Sequence, residues 1–341
     1  MANRLRVGVL MGGMSGEHEV SLVSAASVIK ALDKKKYLAV PIKISKNGKW
    51  PESFPMADLA RQKVDVIFPV LHGTYGEDGK LQGLLEMVSI PYVGAGVLGS
   101  AMAMDKIAAK QIFESTGLLT AKYHHFIQKD WLANKLEVIR QIENKLSYPM
   151  FVKPANLGSS VGISKVKNRT GLTEAVLLAG RYDRRILVEE AVGKAKEIEC
   201  AILGNNRPKA SILGRVIPAD EFYSYNDKYV DGKAQFEIPA KLPEKVLKKI
   251  QALAITAYQA LDLSGLARVD FLLDQNNKVY INEINTMPGF TKISMYPKLW
   301  EKSGLPYGKL LEKLIDLALE RHKEKSQLST SFKTTDWYKH E

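Results

Sequence analysis

Apolar runs of strand length alternate with stretches of helical spacing along the first hundred residues. The apolar runs lie at 4–10, 38–44 and 64–71, and the helical stretches lie at 17–32, 80–88 and 100–115. Such strand–helix alternation is typical of a parallel sheet with helices on its faces. The pattern therefore predicts an N-terminal parallel α/β domain.

Beyond residue 120 the predicted strands follow one another with fewer helices between them. Strands are predicted at 123–128, 149–153, 161–166, 186–191, 197–204 and 207–217, and helices at 134–146, 171–180, 243–261 and 307–322. Residues 220–235 are polar, Tyr-rich and aperiodic, and long loops of this kind often act as lids. The polar tail 323–341 is predicted to fray.

Two further strand-like runs, 266–273 and 278–285, are separated by a turn of Asp, Gln and Asn. A two-residue loop at 276–277 would join them as a β-hairpin. Because side chains alternate along a strand, this pairing would bring polar side chains of both strands to one face.

That hairpin would place Asp270 opposite Glu283 and Arg268 opposite Asn285. Carboxylate and amide oxygens are ligands that suit Mg²⁺, which proteins usually share with substrate phosphates. The alternative is a solvated hairpin face with an ion pair, since a slip of one residue turns a strand to its other face.

The chain contains no GxxxxGK[ST] phosphate loop, so phosphates would need another binding element. Lys153 ends a strand, and the Gly- and Ser-rich stretch 155–162 follows it. Such a turn offers backbone N–H groups and hydroxyls to phosphates, and the lysine adds a charge beside them. The alternative is an ordinary hairpin loop.

Three other segments carry candidate chemistry. Residues 94–99 match GxGxxG, but a dinucleotide fingerprint belongs in the first βαβ unit, so a tight connection into a helix is predicted instead. His72 and Glu17 follow predicted strands beside glycines, where ligands bind in open α/β sheets, although a structural histidine and a helix-dipole carboxylate are the alternatives. Glu189 ends another strand, where it could contact a ribose or adenine or simply be edge-strand charge.

Composition excludes several classes of protein. The chain has 341 residues, a net charge of +12 and a single cysteine, so an internal disulfide and a multi-cysteine zinc site are excluded. Lys and Arg are dispersed and no nucleic-acid-binding module is visible, so a nucleic-acid partner is not expected. No apolar run approaches about 20 residues, so no membrane span is expected and a cytoplasmic protein is predicted.

In their order along the chain, these motifs closely resemble those of the D-alanine–D-alanine ligase family, a branch of the ATP-grasp superfamily. The matching segments are 12–21, 72–79, 104–106, 153–154 with 158–162, 228–229, 268–271 and 282–291. The resemblance implies an α/β (α+β ATP-grasp) fold with a Rossmann-like N-terminal domain and two ATP-grasp subdomains that sandwich ATP. The implied segments are 1–105, 106–189, 190–322 with a lid at 220–235, and a tail at 323–341.

The resemblance also implies roles for individual residues. The implied ATP-binding residues are Lys106, Lys153, Ser160, Glu189, Glu190, Val192, Glu197 and Lys228. The implied metal ligands are Asp270, Glu283 and Asn285, for Mg²⁺ or Mn²⁺ and with two ions expected. The implied catalytic residues are Glu17, Ser159, Tyr229, Arg268 and Gly289, and the implied substrate-binding residues are Glu17, His72 and Ser294.

The implied reaction is ATP-dependent joining of two D-alanines through an acyl phosphate, for peptidoglycan precursor synthesis, by a homodimer. A D-alanine–D-lactate ligase and, from the GxGxxG match, an NAD-dependent dehydrogenase are the alternatives. Two departures from the family pattern affect this expectation. Ser224 stands where the family usually has Asp in the lid, and 193–196 is about one residue longer than usual, which leaves the adenine contact open between Glu189 and Glu190.

Overall fold

The structure is a computed structural model that describes residues 4–56, 64–217 and 235–329. Nearly all of the expected lid, including Ser224, Lys228 and Tyr229, and the end of the expected polar tail lie outside the described residues. Within the described residues, no helix is long and apolar enough to cross a membrane.

The N-terminal part confirms the predicted parallel α/β arrangement. Its elements are β1 (Leu5–Gly12), α1 (His18–Ala31), β2 (Tyr37–Ile44), β3 (Val66–Pro69), α2 (Lys80–Met87) and α3 (Val97–Met104). The three strands are parallel in the order β2-β1-β3. Strand β1 therefore lies in the middle, and Val7, Val9 and Leu10 are fully buried on its two faces.

The single helix predicted at 100–115 is wrong, because the chain breaks at Asp105 into α3 and α4 (Lys106–Ser115). Asp105 has an extended backbone, and its carboxylate accepts hydrogen bonds from the backbone N–H groups of Ile107 (3.1 Å) and Ala108 (2.9 Å). An aspartate that caps a helix in this way favours a new start over continuation. The new helix begins at Lys106, and the backbone N–H of Lys106 donates a hydrogen bond to Ala155 O at 2.9 Å.

A four-stranded antiparallel sheet follows, in the order β4-β7-β5-β6. Its elements are β4 (Tyr123–Ile127), α5 (Gln128–Ala133), α6 (Lys135–Lys145), β5 (Met150–Pro154), β6 (Ser164–Val166), α7 (Arg169–Ala179) and β7 (Arg185–Glu190). Strand β6 begins later than predicted because Ser159, Ser160 and Gly162 have positive φ angles and form part of the loop before it.

A five-stranded antiparallel sheet forms the C-terminal part, in the order β10-β9-β8-β11-β12. Its elements are β8 (Lys196–Leu203), β9 (Lys209–Ile217), β10 (Gln235–Glu237), α8 (Glu244–Ala260), β11 (Leu266–Leu273), β12 (Val279–Asn285), α9 (Met295–Lys302) and α10 (Tyr307–Ser326). Helix α8 packs on the sheet through Ile250, Ala254, Ala257 and Tyr258, which repeat at helical spacing and are fully buried.

The β11–β12 hairpin pairs Asp270 with Glu283 and Arg268 with Asn285, as predicted, but it reaches that register by another route. Its turn is one residue longer than predicted, since the backbone of Asp274 pairs with that of Lys278. A bulge then places one extra residue in β12, between the partners of Asp270 and Phe271. The longer turn and the bulge cancel, so the polar pairs meet.

One hydrophobic core joins the N-terminal sheet to the C-terminal helices. Phe68 of β3 contacts Phe290 edge-on with ring centroids 5.6 Å apart, and both side chains are fully buried. Tyr307 donates a hydrogen bond to Phe290 O at 2.6 Å. These contacts fix the 286–290 loop against the carboxyl ends of β1 and β3, where the motif loops of the N-terminal part begin.

The GxGxxG segment is a tight connection into α3, as predicted from its place in the chain. A side chain at Gly99 would meet Leu261 O at 2.8 Å, and Gly265 packs directly on the backbone of Gly94. The glycines therefore allow close approach of protein backbone.

Candidate active site

Two cavities meet between the sheets. One, of about 480 Å³, lies between the four-stranded and five-stranded sheets, and the other, of about 660 Å³, lies between the N-terminal loops and the segment 284–298. Five polar residues line both cavities: Lys106, Ser159, Glu199, Arg268 and Glu283. Two molecules held in neighbouring cavities would therefore meet at these side chains.

Three carboxylates stand side by side across β8, β11 and β12, because Asp270 pairs with Glu199 on one side and with Glu283 on the other. Like charges directly opposite one another are unfavourable unless cations lie among them. Arg268 provides one, at 2.7 Å and 2.6 Å from the two oxygens of Asp270 and at 3.1 Å from Glu199. Lys106 provides another, at 3.3 Å from Glu283.

Arg268 is firmly held in its charged form. Burial acts to lower the pKa of Arg268, but Asp270 and Glu199 outweigh it and raise the pKa above the ordinary value. The sequence pattern did not single out Glu199 as a site residue, although it lies two residues after Glu197, on the same face of a predicted strand. That periodicity was the signal that could have found it.

Asn285 Oδ1 is buried and finds no hydrogen-bond partner in the described parts of the chain. A buried acceptor without a partner is costly unless a ligand satisfies it. No group of three or more His, Cys, Asp or Glu residues is arranged to hold a metal among the described residues. The candidate cation site consists instead of two carboxylates, Asp270 and Glu283, and this amide oxygen.

The opposite side of the smaller cavity is basic. Glu189 of β7 is 4% exposed, with one carboxylate oxygen 2.6 Å from Lys110 Nζ and the other paired with Lys153 Nζ. Burial alone would raise the pKa of Glu189, but Lys110 and Lys153 lower it to about 2. The sequence suggested a nucleotide contact for Glu189, and the structure pairs both of its oxygens with lysines.

Lys110 is another residue near the site that the sequence pattern did not single out. It lies one helical turn after Lys106 on α4, so both lysines project from one face of the helix. A lysine in the middle of a predicted helix is usually exposed to solvent. The sequence therefore gave no reason to expect that Lys110 is buried beside a carboxylate.

The remaining expected nucleotide contacts surround the smaller cavity. Ser160, Glu190, Val192 and Glu197 line it together with apolar side chains such as Phe151. Glu190 accepts a hydrogen bond from Ser147 N at 2.8 Å. The structure thus brings these expected residues together on one surface.

The loop after β5 joins the two cavities. Ser159 and Ser160 have φ angles of 52° and 58°, a conformation that turns successive backbone N–H groups to one side and suits anions. Ser159 Oγ donates a hydrogen bond to Glu17, which is 9% exposed at the start of α1. Two members of the expected trio are therefore in contact, and the third, Tyr229, lies outside the described residues.

His72 lies at the base of the larger cavity and is 3% exposed. Its Nδ1 lies 2.9 Å from Met287 O and its Nε2 lies 3.1 Å from Ser24 Oγ. Because a carbonyl only accepts, Nδ1 carries the proton, and burial lowers the pKa of His72, so the ring is neutral and Nε2 accepts from Ser24. The geometry ties His72 to the 286–290 loop.

Glu77 is a further buried carboxylate that the sequence did not single out. It accepts hydrogen bonds from Gly73 N at 2.6 Å and Met287 N at 3.4 Å. Burial, and after it the carboxylate of Glu17, raises the pKa of Glu77 well above its ordinary value. The sequence feature that could have pointed to Glu77 is its position within the glycine-rich segment 72–79.

Gly289 and Ser294 line the same cavity. A side chain at Gly289 would meet Ser294 Oγ at 3.0 Å, so a larger residue would require the Ser294 side chain to shift. Ser294 precedes α9, and its Oγ accepts from Thr291 N at 3.1 Å. The hydroxyl and the nearby backbone can face a small polar ligand together.

Comparisons with known proteins identify the family. Residues 6–63 and 51–95 match the D-ala D-ala ligase N-terminus, and residues 112–316 match the D-ala D-ala ligase C-terminus. A D-alanine–D-alanine ligase of Natranaerobius thermophilus is 50% identical, with 96% of this chain and 99% of the relative covered.

Two solved structures are also similar. The D-alanine–D-alanine ligase of Coxiella burnetii is 40% identical with a TM-score of 0.84, covering 96% of this chain and 97% of that one. A D-alanine–D-alanine ligase of Bacillus anthracis complexed with ATP is 32% identical with a TM-score of 0.79, covering 95% of this chain and all of that one. With its ATP-grasp fold, the chain belongs to the D-alanine–D-alanine ligase family.

Proposed function

We propose that this chain joins two D-alanines to D-alanyl-D-alanine at the expense of ATP, for peptidoglycan precursor synthesis. The observation that carries the proposal is the meeting of the two cavities at Lys106, Arg268 and Glu283. ATP would occupy the smaller cavity between the sheets, and the amino acids would occupy the larger one. The family relationship supports this division of the site.

The chemistry follows from the weakness of a carboxylate as an electrophile. A carboxylate oxygen of the first D-alanine attacks the γ-phosphorus of ATP, the β–γ phosphoanhydride bond breaks, ADP leaves, and an acyl phosphate is formed. The amine of the second D-alanine then attacks the carbonyl, and phosphate leaves as the peptide bond forms. Lys106 and Lys153 would neutralise charge on the phosphoryl oxygens, and so would Lys228 of the expected lid.

Arg268 would stabilise the oxyanion that forms on amine attack, together with the backbone at Gly289. Its guanidinium lines both cavities and is fixed by Asp270 and Glu199. A donor held in place before the reaction stabilises developing charge without having to reorganise.

Asp270, Glu283 and Asn285 would hold Mg²⁺ or Mn²⁺, with two ions expected. The residues fit a hard cation, because all three offer oxygen and Asn285 Oδ1 is buried without a partner among the described residues. When bound, the metal would neutralise charge on the phosphates.

Roles at the substrate cavity are proposed for Glu17, His72 and Ser294. Glu17, oriented by Ser159, would face the first D-alanine, and Ser294 would hold the carboxylate of the second. His72 would act through the 286–290 loop, since both ring nitrogens already have partners. Glu189, Glu190, Val192 and Glu197 line the smaller cavity, where they would contact the adenosine.

Phosphate release from ATP with Mg²⁺ tests the proposal, with D-alanine, L-alanine and D-lactate compared and the product identified by mass spectrometry. Release that depends on D-alanine, with D-alanyl-D-alanine formed, is expected. A depsipeptide formed from D-lactate at comparable rate would favour the alternative ligase. The cytoplasmic homodimer expected from the family is tested by light scattering of the purified enzyme and by fractionation of cells.

A further inference from the structure

Lys110 is among the most buried charged side chains in the described part of the chain. It is 2% exposed, and its ammonium lies 2.6 Å from Glu189 and 5.3 Å from the centre of the Tyr123 ring. Removing an ammonium group from water costs several kcal/mol unless a partner compensates. The burial of Lys110 must therefore be compensated by the groups that contact its ammonium.

Lys110 lines neither of the two cavities, whereas Glu189 and Lys153 both line the smaller one. Glu189 is the residue in contact with Lys110 that also lines a cavity, so it is the direct path by which Lys110 can influence a ligand. Glu189 offers one oxygen to each lysine, so the three side chains form a line from α4 through β7 to β5.

With both lysines protonated, two ammonium groups share one carboxylate and the charges do not balance, although burial outweighs Glu189 and lowers the pKa of Lys110 from its ordinary value. The carboxylate stays ionised because the pKa of Glu189 is lowered to about 2. Burial acts to lower the pKa of Lys153, but Glu189 outweighs it and the net pKa is raised. One positive charge is left over, and Lys153 is the end of the line that faces the cavity.

We propose that Lys110 is a positioning residue for the nucleotide polyphosphate: it occupies one oxygen of Glu189, so that Lys153 keeps charge available for the phosphates. Without Lys110, Glu189 and Lys153 would form a neutral pair, and Lys153 would be drawn toward the carboxylate. The proposal rests on the proposed function only in taking a nucleoside triphosphate as the ligand of this cavity.

Calorimetric binding of adenosine, ADP and ATP to the full-length protein tests the proposal without depending on turnover. Lys110→Met removes the charge and keeps much of the volume. We expect it to weaken ATP binding about tenfold and adenosine binding less than twofold, because only the phosphates respond to Lys153. The control is Lys122→Met, which removes a lysine that is 73% exposed and 4.0 Å from Glu190.

A double-mutant cycle isolates the path through Glu189. If Lys110 acts only through this carboxylate, then Lys110→Met has no further effect on ATP binding in a Glu189→Gln background. The double variant holds neither the Glu189 carboxylate nor the Lys110 ammonium, so its comparison with Glu189→Gln carries the test should Lys110→Met alone fail to fold. A further loss of more than about fivefold in that background would overturn the proposal, as would equal losses for adenosine and ATP.

Steady-state kinetics provides a second readout. A positioning role predicts a raised KM for ATP in Lys110→Met with the KM for D-alanine within twofold of wild type. Lys110→Arg, which restores the charge, should recover most of the ATP affinity. If the wild type binds ATP but ligates no D-alanine, the proposed function fails while the binding cycle still decides the role of Lys110.

Discussion

The two walls of the nucleotide cavity hold their charged side chains in the same arrangement, with the signs of the charges reversed. On the acidic wall, formed by β8, β11 and β12, Arg268 lies between Asp270 and Glu199. On the basic wall, formed by α4, β5 and β7, Glu189 is buried between Lys110 and Lys153. Each wall thus holds one charge between two of the other sign.

The difference lies in which member faces the reactants. On the acidic wall the central Arg268 lines both cavities, so the lone charge can act on the reacting atoms. On the basic wall the central Glu189 and the outer Lys153 both line only the smaller cavity, and Lys110 lines neither. A surplus of negative charge therefore faces the proposed metal, and a surplus of positive charge faces the proposed phosphates, which is the complementarity that an ATP-binding cavity requires.

The largest expected effect comes from removing Glu283, the carboxylate of the acidic wall that lies 3.3 Å from Lys106. Glu283→Ala should lower activity by more than about 10³-fold, beyond the 10–100-fold typical of residues that only orient metal ligands. The fold should persist because Glu283 is partly exposed. Steady-state assays over a range of Mg²⁺ check this, with Glu244→Ala as an exposed carboxylate control, and near-normal turnover at limiting Mg²⁺ would refute the assignment.

Loss of the central charge of the acidic wall should act on catalysis more than on nucleotide binding. Arg268→Ala should lower kcat by about 10²–10³-fold, as expected for one oxyanion donor. ATP affinity, measured by calorimetry, should change much less. Arg268→Lys keeps a charge between Asp270 and Glu199 and separates this effect from misfolding. A collapse of ATP affinity with kcat maintained would make Arg268 a nucleotide ligand instead.

Loss of the central charge of the basic wall should appear in stability. Glu189→Gln leaves the buried Lys110 without its carboxylate and Lys153 without its nearest one, and should lower the free energy of unfolding by on the order of 3 kcal/mol at pH 7. Because the pKa of Glu189 is lowered to about 2 in the fold, its contribution is present above its ordinary pKa and is lost as pH falls from about 4.5 toward 2.

Urea unfolding at pH 7 and pH 3.5 measures this contribution. The difference between wild type and Glu189→Gln should shrink at the lower pH, where the unfolded wild type takes up a proton. A deficit that is the same at both pH values would show that Glu189 is not held in its ionised form by the lysines.

The smallest expected effect concerns the expected lid. Tyr229→Phe removes a hydroxyl proposed to reach Ser159 and Glu17, and it should raise the use of D-lactate relative to D-alanine by about tenfold or less. Competition assays check the ratio. Hydrogen exchange over 220–235 should show stronger protection with ATP and D-alanine than without, since an acyl phosphate must be shielded from water. Equal protection would contradict closure.

Local pattern was enough to predict most of the elements and the polar pairs of the hairpin. The pairing of Asp270 with Glu283 was predicted from alternation, and it survives because the longer turn and the bulge in β12 offset each other. Asn277 takes a positive φ of 58° in that turn, a conformation that asparagine tolerates but that composition alone does not demand.

The sequence by itself determined the order of the motifs, the strand alternation and, through them, the family. Only the tertiary structure decided that Lys110 reaches Glu189, that Glu199 shares Arg268 with Asp270, and that Glu77 joins the loops at 73 and 287. These contacts join residues up to 210 positions apart. From sequence alone a charged side chain is predicted to be exposed to solvent. Whether it is buried depends on how distant elements pack together, and the local hydrophobic pattern carries no information on that packing.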